Sequence, residues 1–74
     1  MDATSLSSAS FVLYPDGDRV IISARSLGTV NVQVILEPLG GGGNAATAGA
    51  QIKDATVDEV LERLKVSIDA YYDN

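Results

Sequence analysis

The sequence contains no cysteine, no histidine and no tryptophan. Without cysteine it has no disulfide, no thiolate nucleophile and no cysteine ligand for zinc, and nothing marks an oxidising compartment, so we expect a cytoplasmic location. Asp16 and Asp18 form a close pair of carboxylates, but they lie in a sequence typical of a turn. We therefore expect no catalytic residue and no metal site on this chain. Aromatic residues make up only 5% of the chain, which predicts an aliphatic core.

Positive charge and long hydrophobic runs are also scarce. Five scattered basic residues leave a formal net charge of −5, which argues against binding to long nucleic acid. The opening stretch, MDATSLSSAS, has neither the basic region nor the apolar region of a secretory signal. No apolar run approaches the roughly 20 residues that a membrane-spanning helix needs.

The first clear structural signal is a β-hairpin. The segments SFVLY (residues 10–14) and RVIISAR (residues 19–25) are rich in β-branched and apolar residues, and PDGD joins them. Proline presets the first turn position and Gly17 can adopt a positive φ, so this pattern predicts two strands and a tight turn.

The second clear signal is an amphipathic helix at the C-terminal end. Thr56 followed by Glu59 is the signature of a capping box. The apolar residues that follow recur at three- and four-residue spacing and predict a helix to about Tyr72. They are Val57, Val60, Leu61, Leu64, Ile68 and Tyr71.

The middle of the chain is ambiguous from its pattern alone. TVNVQVIL alternates apolar and polar residues like a strand, whereas Val32, Ile35, Leu36 and Leu39 also fit one helical stripe. Further on, AGAQI (residues 48–52) is short and ends in apolar residues, which suits a third strand before the final helix.

Between these segments stand four consecutive glycines, Gly40, Gly41, Gly42 and Gly43, followed by Asn44. One interpretation is an anion cradle, in which successive N–H groups converge on a phosphate and a helix N-terminus opening at Asn44 points the same way. The alternatives are a flexible connector or an elaborated helix C-cap. The run by itself is a weak motif and does not decide between them.

Taken together, ISARSLGTVNVQVILEPLGGGGN closely resembles the second half of the DHH-associated (DHHA1-type) substrate-binding domain of DHH-family phosphoesterases. In that family an ISARS strand precedes an Asn-Val helix and a GGGGH loop. AGAQI and the final helix also fall where the family places them. The resemblance covers about residues 9–72 and is greatest to the C-terminal end of membrane-anchored cyclic di-AMP phosphodiesterases of the GdpP type.

The resemblance implies an α+β fold. It favours a helix over residues 29 to about 37, ended by Pro38, and a β-β-α-β-α order with a three-stranded sheet packed against two helices. Residues 9–72 would form the C-terminal part of the substrate-binding domain, and we expect residues 1–8 to be a disordered segment. An uncovered sheet edge would favour self-association, so a homodimer is a candidate assembly.

The resemblance also implies a function. The chain would recognise cyclic di-AMP or a linear dinucleotide, while an upstream DHH catalytic domain that holds manganese cleaves the phosphodiester; no cofactor is expected on this chain. The parent protein would be membrane-anchored, with this domain on the cytoplasmic side. Alternatives are a module of a short-oligonucleotide phosphodiesterase, a nucleic-acid-binding module like the C-terminal domain of alanyl-tRNA synthetases, and a purely structural domain.

Candidate substrate-binding residues follow the same motifs. Arg25 is the first choice for a phosphate contact because a guanidinium offers a rigid fork that matches phosphate oxygens. Ser23 and Ser26 flank it and carry hydroxyl donors, and Asn31 would either contact a base or cap the helix, with the cap favoured. The loop contributes Gly40, Gly41, Gly42, Gly43 and Asn44. Asn44 stands where the family carries histidine, so a neutral amide replaces an ionisable group.

Overall fold

The computed structural model describes residues 2–6 and 9–73, which form one antiparallel sheet with both helices packed on the same face. The elements are β1 (Asp2–Leu6), β2 (Ala9–Asp16), β3 (Arg19–Ser26), α1 (Val32–Leu36), a 3-10 turn (Glu37–Leu39), β4 (Gly42–Gly43), β5 (Thr47–Lys53) and α2 (Val57–Tyr72). The strand order in the sheet is β1-β2-β3-β5-β4. The predicted α+β class is confirmed. The three predicted strands are β2, β3 and β5, and the described residues add one strand at each edge.

The predicted hairpin joins β2 to β3 through a turn tighter than PDGD suggests. Asp16 is paired with Arg19, so only Gly17 and Asp18 form the turn. Gly17 has φ of 63° and Asp18 is not among the residues with positive φ, which is the pattern of a type II′ turn.

The N-terminal segment differs from its prediction. Residues 1–8 were expected to be disordered, but Asp2–Leu6 forms β1 and pairs with β2 from Asp2 opposite Leu13 to Leu6 opposite Ala9. The physical reason is that the outer edge of β2 carries backbone N–H and C=O groups that a further strand can pair. Residues 1, 7 and 8 of that segment lie outside the described part of the chain.

The core lies between one sheet face and the two helices. Along each central strand alternate residues are buried, as the period of two requires. The sheet contributes Ala9, Phe11, Leu13, Val20, Ile22, Ala24, Ala48, Ala50 and Ile52, and the helices contribute Val32, Ile35, Leu36, Val60, Leu64 and Ile68. Phe11 is the one aromatic residue in this set, so the predicted aliphatic character of the core is confirmed.

Helix α1 is present but shorter than expected. It begins at Val32 rather than residue 29 because Asn31 is its N-cap, with its Oδ1 accepting the Val34 N–H at 3.2 Å. Pro38 does not end the helical path; it lies in the first turn of the 3-10 segment, where its missing N–H is tolerated. The strand that the alternation in TVNVQVIL would predict does not form, because residues 32–36 are helical.

Helix α2 confirms the capping box. The Glu59 N–H donates to Thr56 Oγ1 at 3.1 Å, and the Thr56 N–H donates to Glu59 Oε1 at 2.9 Å. At the other end of α2, Tyr71 Oη accepts the Asn31 N–H at 2.9 Å and so fixes α2 to the start of α1. Among the described residues, neither helix is long and apolar enough to cross a membrane.

We expect Tyr71→Phe to destabilise the domain by about 1 kcal/mol, because the half-buried Asn31 N–H would lose its acceptor. Urea unfolding measures the change, and hydrogen exchange at the Asn31 amide should accelerate. Tyr72→Phe is the matched control, since Tyr72 is exposed. Equal stability losses in the two variants would contradict this role for the tyrosine hydroxyl.

A pH dependence follows from the capping box. The Thr56 N–H and then its hydroxyl lower the pKa of Glu59, with Arg63 contributing less. A carboxylate whose pKa is lower in the folded state stabilises the fold above its unfolded pKa, and this contribution is lost as the pH falls through the folded pKa. We therefore expect Glu59→Gln to flatten the loss of thermal stability between about pH 6 and pH 3. Glu62→Gln on the same helix is the control, and equal flattening in both variants would be the contrary result.

Candidate functional site

The predicted site residues meet at one end of the sheet, where β3 ends and β5 begins. The Ser26 N–H donates to the Ala46 carbonyl at 2.8 Å, and the Val32 N–H donates to the Ala45 carbonyl at 3.1 Å. These two bonds fasten the turn between β4 and β5 to the end of β3 and to the start of α1. The backbone around Asn44 is thereby held close to that of Ser26, which follows Arg25, and to that of Asn31.

Ser23 and Arg25 lie on the sheet face that carries no helix. The alternate residues Val20, Ile22 and Ala24 are buried under the helices, so the side chains of Ser23 and Arg25 project from the opposite face and are exposed. Within the described part of the chain, neither side chain has a hydrogen bond or ion pair. They are therefore available to a ligand.

The backbone beside Ser23 is almost bare of side chains. Ser23 is paired with Gly49, and Gly49 is paired with Gly42 on the edge strand. A depression of about 390 Å³ lies at this place, which we call the glycine trough. Its lining residues are Ile21, Ile22, Gly40, Gly41, Gly42, Gly49, Ala50 and Gln51. Arg25, paired with Thr47, lies one row beyond Ser23.

Two of the four glycines form a helix C-cap. Gly40 adopts the left-handed conformation with φ of 82°, and its N–H donates to the Glu37 carbonyl at 3.0 Å. The Gly41 N–H donates to the Leu36 carbonyl at 2.9 Å. This pair of bonds is the Schellman motif, so the helix C-cap interpretation holds for Gly40 and Gly41.

Close packing against β5 explains two of the glycines. A Cβ on Gly41 would lie 2.5 Å from the Gly49 carbonyl oxygen, and one on Gly43 would overlap the Thr47 carbonyl oxygen. Gly43 also has φ of 143°, which side chains rarely permit. Gly42 differs, because a Cβ there would meet nothing within 4 Å. The fold therefore requires glycine at three of the four positions.

Asn44 closes the turn between β4 and β5. Its N–H donates to the Thr47 carbonyl at 2.8 Å, and its Oδ1 accepts the N–H groups of Ala46 and Thr47, both at 2.9 Å. No helix begins at this point; the chain passes through a bend into β5, so the predicted helix N-terminus at Asn44 is wrong. The side-chain oxygen of a short polar residue provides the turn instead.

These bonds limit what the loop can offer as an anion cradle. The N–H groups of Gly40, Gly41 and Asn44 are all bonded internally. Bonded and non-bonded pairs alternate in an antiparallel ladder, and the Asn44 N–H is bonded to Thr47, so Gly43 falls in a non-bonded pair with Ala48. Its N–H is directed outward from the edge strand, which makes it the available amide of this loop.

Other predicted residues have local structural roles. The Ser26 hydroxyl donates to the Gly28 carbonyl at 3.1 Å and accepts the Gly28 N–H at 3.3 Å. The Asn31 side chain caps α1, as the sequence favoured. Asp18 Oδ1 lies 3.7 Å from Arg19 Nε, so this carboxylate pairs with an arginine. No cluster of three or more possible metal ligands occurs among the described residues.

Sequence reasoning missed two residues that β5 brings to the trough, Gly49 and Gln51. The alternation in AGAQI already places Gly49 and Gln51 on one face, opposite Ala48, Ala50 and Ile52. Their neighbours on β3 could not be read from that pattern, because Ser23 and Gly49 are paired across a long separation in sequence.

Comparison with known proteins matches residues 3–72 to the DHHA1 domain. The chain is 54% identical over 65 residues to cyclic-di-AMP phosphodiesterase PdeA of Listeria monocytogenes, covering 86% of this chain and 10% of that protein. It is 53% identical over 66 residues to cyclic-di-AMP phosphodiesterase GdpP of Geobacillus thermodenitrificans, covering 88% of this chain and 10% of that protein. These matches confirm the resemblance carried by the ISARS and GGGG motifs.

A more distant relative is A-adding tRNA nucleotidyltransferase of Geobacter sulfurreducens, 40% identical over 57 residues, which cover 76% of this chain and 6% of that protein. The chain thus spans about a tenth or less of the length of these relatives.

Replacing the four glycines by alanine, one at a time, should change the free energy of unfolding by amounts that depend on the position. We expect Gly41→Ala and Gly43→Ala each to destabilise the domain by about 1–3 kcal/mol, because the new methyl groups would overlap the backbone of β5. Gly40→Ala should destabilise it by about 1–2 kcal/mol through its left-handed backbone. Gly42→Ala should change stability by no more than about 0.5 kcal/mol. Urea unfolding of the four variants would contradict the steric explanation if all four had the same effect.

Proposed function

Because this chain belongs to the DHHA1 domain family, we propose that it is the nucleotide-recognition module of a phosphodiesterase acting on cyclic di-AMP. The names of two relatives that are more than half identical to it support this substrate class. The single observation that carries the proposal is the placement of Arg25 and Ser23 beside the bare backbone of the glycine trough, where both side chains are exposed and have no partner among the described residues.

Arg25 supplies the main phosphate contact. Its planar guanidinium can donate two parallel hydrogen bonds to phosphate oxygens. The Ser23 hydroxyl lies two residues away on the same face, and the outward N–H of Gly43 adds a backbone donor. Because the chain carries a formal charge of −5, attraction of the phosphate depends on this local group of donors rather than on the overall field.

Asn44 contributes through its amide nitrogen. Its Oδ1 is committed to the turn, so Nδ2 is the part of the side chain left for a ligand. An amide donor has no charge to titrate, in contrast to the histidine at this place in the family. Binding at this position should therefore not depend on protonation near neutral pH.

Hydrolysis belongs to another part of the parent protein. No cluster of three or more possible metal ligands occurs among the residues that the structure describes. We propose that manganese is held by a DHH catalytic domain upstream and supplies the activated water and the charge stabilisation for cleavage. The present chain binds and orients the nucleotide. A membrane-anchored parent with this domain in the cytoplasm remains part of the proposal.

A second candidate is recognition of an RNA end. The similarity to an A-adding tRNA nucleotidyltransferase favours it, and the same donors would then contact a terminal phosphate. The net negative charge of the chain argues against extensive contact with a polynucleotide. An electrophoretic shift with tRNA at moderate salt tests this alternative.

The proposal is tested by titrating isotope-labelled protein with the linear dinucleotide 5′-pApA. We expect the amides of Gly43 and Thr47 and the Arg25 side chain to shift along one binding curve. The dissociation constant should be on the order of millimolar, since one anion contact contributes only a few kcal/mol. Arg25→Ala should weaken binding about tenfold, as loss of a charged hydrogen bond predicts.

Arg63→Ala is the matched control, because it removes the same charge from α2, on the helix-covered side. Its binding curve should coincide with that of the wild type. Identical curves for Arg25→Ala and Arg63→Ala, or amides in the loop that stay unshifted at saturating ligand, would refute the proposed site.

A further inference from the structure

We infer that the end of the glycine trough farthest from Arg25, formed by Ile21 and Gln51, receives the purine base of the bound nucleotide, with the Gln51 amide donating a hydrogen bond to the base. This inference rests on the proposed function, because Arg25 defines the phosphate end.

The helix-free face along β3 is charged at one end and apolar at the other, with Arg25 beyond the residues that line the trough. Arg25 and Ile21 lie on the same face of β3, four residues apart, which corresponds to about 13 Å along a strand. Arg25 is opposite Thr47, whereas Ile21 is opposite Gln51 on β5 and Tyr14 on β2. A nucleotide has the same polarity, with a charged phosphate at one end and a flat, weakly polar ring at the other.

The floor between these two ends is backbone. Gly49 and Gly42 occupy neighbouring strands at the level of Ser23, and neither carries a side chain above the sheet. A sugar and the near edge of a ring can therefore approach the peptide groups closely. The depression of about 390 Å³ lies within the size range of small-ligand pockets.

Gln51 is held in one orientation by Arg19. Arg19 Nη1 donates to Gln51 Oε1 at 2.7 Å. A guanidinium has donors only, so the amide oxygen, and not the amide nitrogen, must face it. Nε2 is consequently the part of the Gln51 side chain left for a ligand, and Gln51 lines the trough. Ring nitrogens of a purine are acceptors, which such a donor can recognise.

Ile21 and Tyr14 provide the apolar contact for the ring. Ile21 is half-buried on the helix-free face, and Tyr14, its partner on β2, is 37% exposed. Together they offer the apolar area against which a planar ring can pack. The base would thus be bound by one directional hydrogen bond and one non-directional contact.

The test compares AMP with ribose 5-phosphate, which lacks the base, in wild-type protein and in Gln51→Glu. The glutamate keeps the shape of the side chain and the acceptor for Arg19, but it has no donor for the ring. We expect wild-type protein to bind AMP about tenfold more tightly than ribose 5-phosphate, as an added hydrogen bond and apolar contact predict. In Gln51→Glu this difference should shrink to about twofold or less, with ribose 5-phosphate binding unchanged.

Gln33→Glu is the matched control, since it makes the same substitution on α1, away from the trough. It should preserve the preference for AMP. In wild-type spectra, AMP should shift the signals of Ile21 and Gln51, and ribose 5-phosphate should leave them in place while shifting that of Arg25.

Three results would overturn the inference: equal affinities for AMP and ribose 5-phosphate in the wild type, an unchanged AMP preference in Gln51→Glu, or equal weakening of both ligands in that variant, which would indicate simple repulsion of phosphate. In each case a shift of the Gly43 and Thr47 amides that is lost in Arg25→Ala would leave the proposed phosphate site standing. Absence of any shift at Arg25 with either ligand would instead refute the proposed function.

Discussion

The antiparallel pairing of β3 with β5 is the contact on which the rest of this small domain depends. Its register places Ile22 opposite Ala50 beneath the helices and Ser23 opposite Gly49 on the helix-free face. Because side chains alternate with a period of two, a slip of one residue would exchange the two faces, bury Arg25 and expose Ile22. One register therefore sets both the hydrophobic core and the candidate site, and neither can change without the other.

Three of the glycines at positions 40–43 have structural roles that do not depend on a ligand. Gly40 ends a helical segment, and Gly41 and Gly43 let β4 approach β5 more closely than side chains would allow. What remains for a ligand is the unobstructed surface over Gly42 and the outward N–H of Gly43. A loop fastened by the bonds of Asn44 to the start of β5 loses little conformational entropy when a ligand binds, which favours recognition by a small site.

The candidate site could be predicted from the sequence only in part. Arg25 and Ser23 were predicted from a motif that resembles a known family, and the structure exposes both side chains on the helix-free face. The roles of Ser26, Asn31 and Asn44 are settled by hydrogen bonds that they make with nearby backbone, and of these the sequence anticipated only the Asn31 cap. The positions of Gly49 and Gln51 beside Ser23 and Ile21 could not be predicted, since they follow from the pairing of β5 with β3.

The sequence by itself determined the features that arise from local chemistry. The turn at Gly17, the capping box of Thr56 and Glu59, the apolar stripe of α2 and the β2–β3 hairpin all depend on residues close together in the chain. Only the tertiary structure decided that Asp2–Leu6 and Gly42–Gly43 are strands and that Asn31 is bonded to Tyr71. A short edge strand is stable only through the strand beside it, and a side-chain bond between distant elements needs both in place. The bond between Asn31 and Tyr71 leaves no periodic pattern in the sequence, because it joins residues that lie 40 positions apart in the chain.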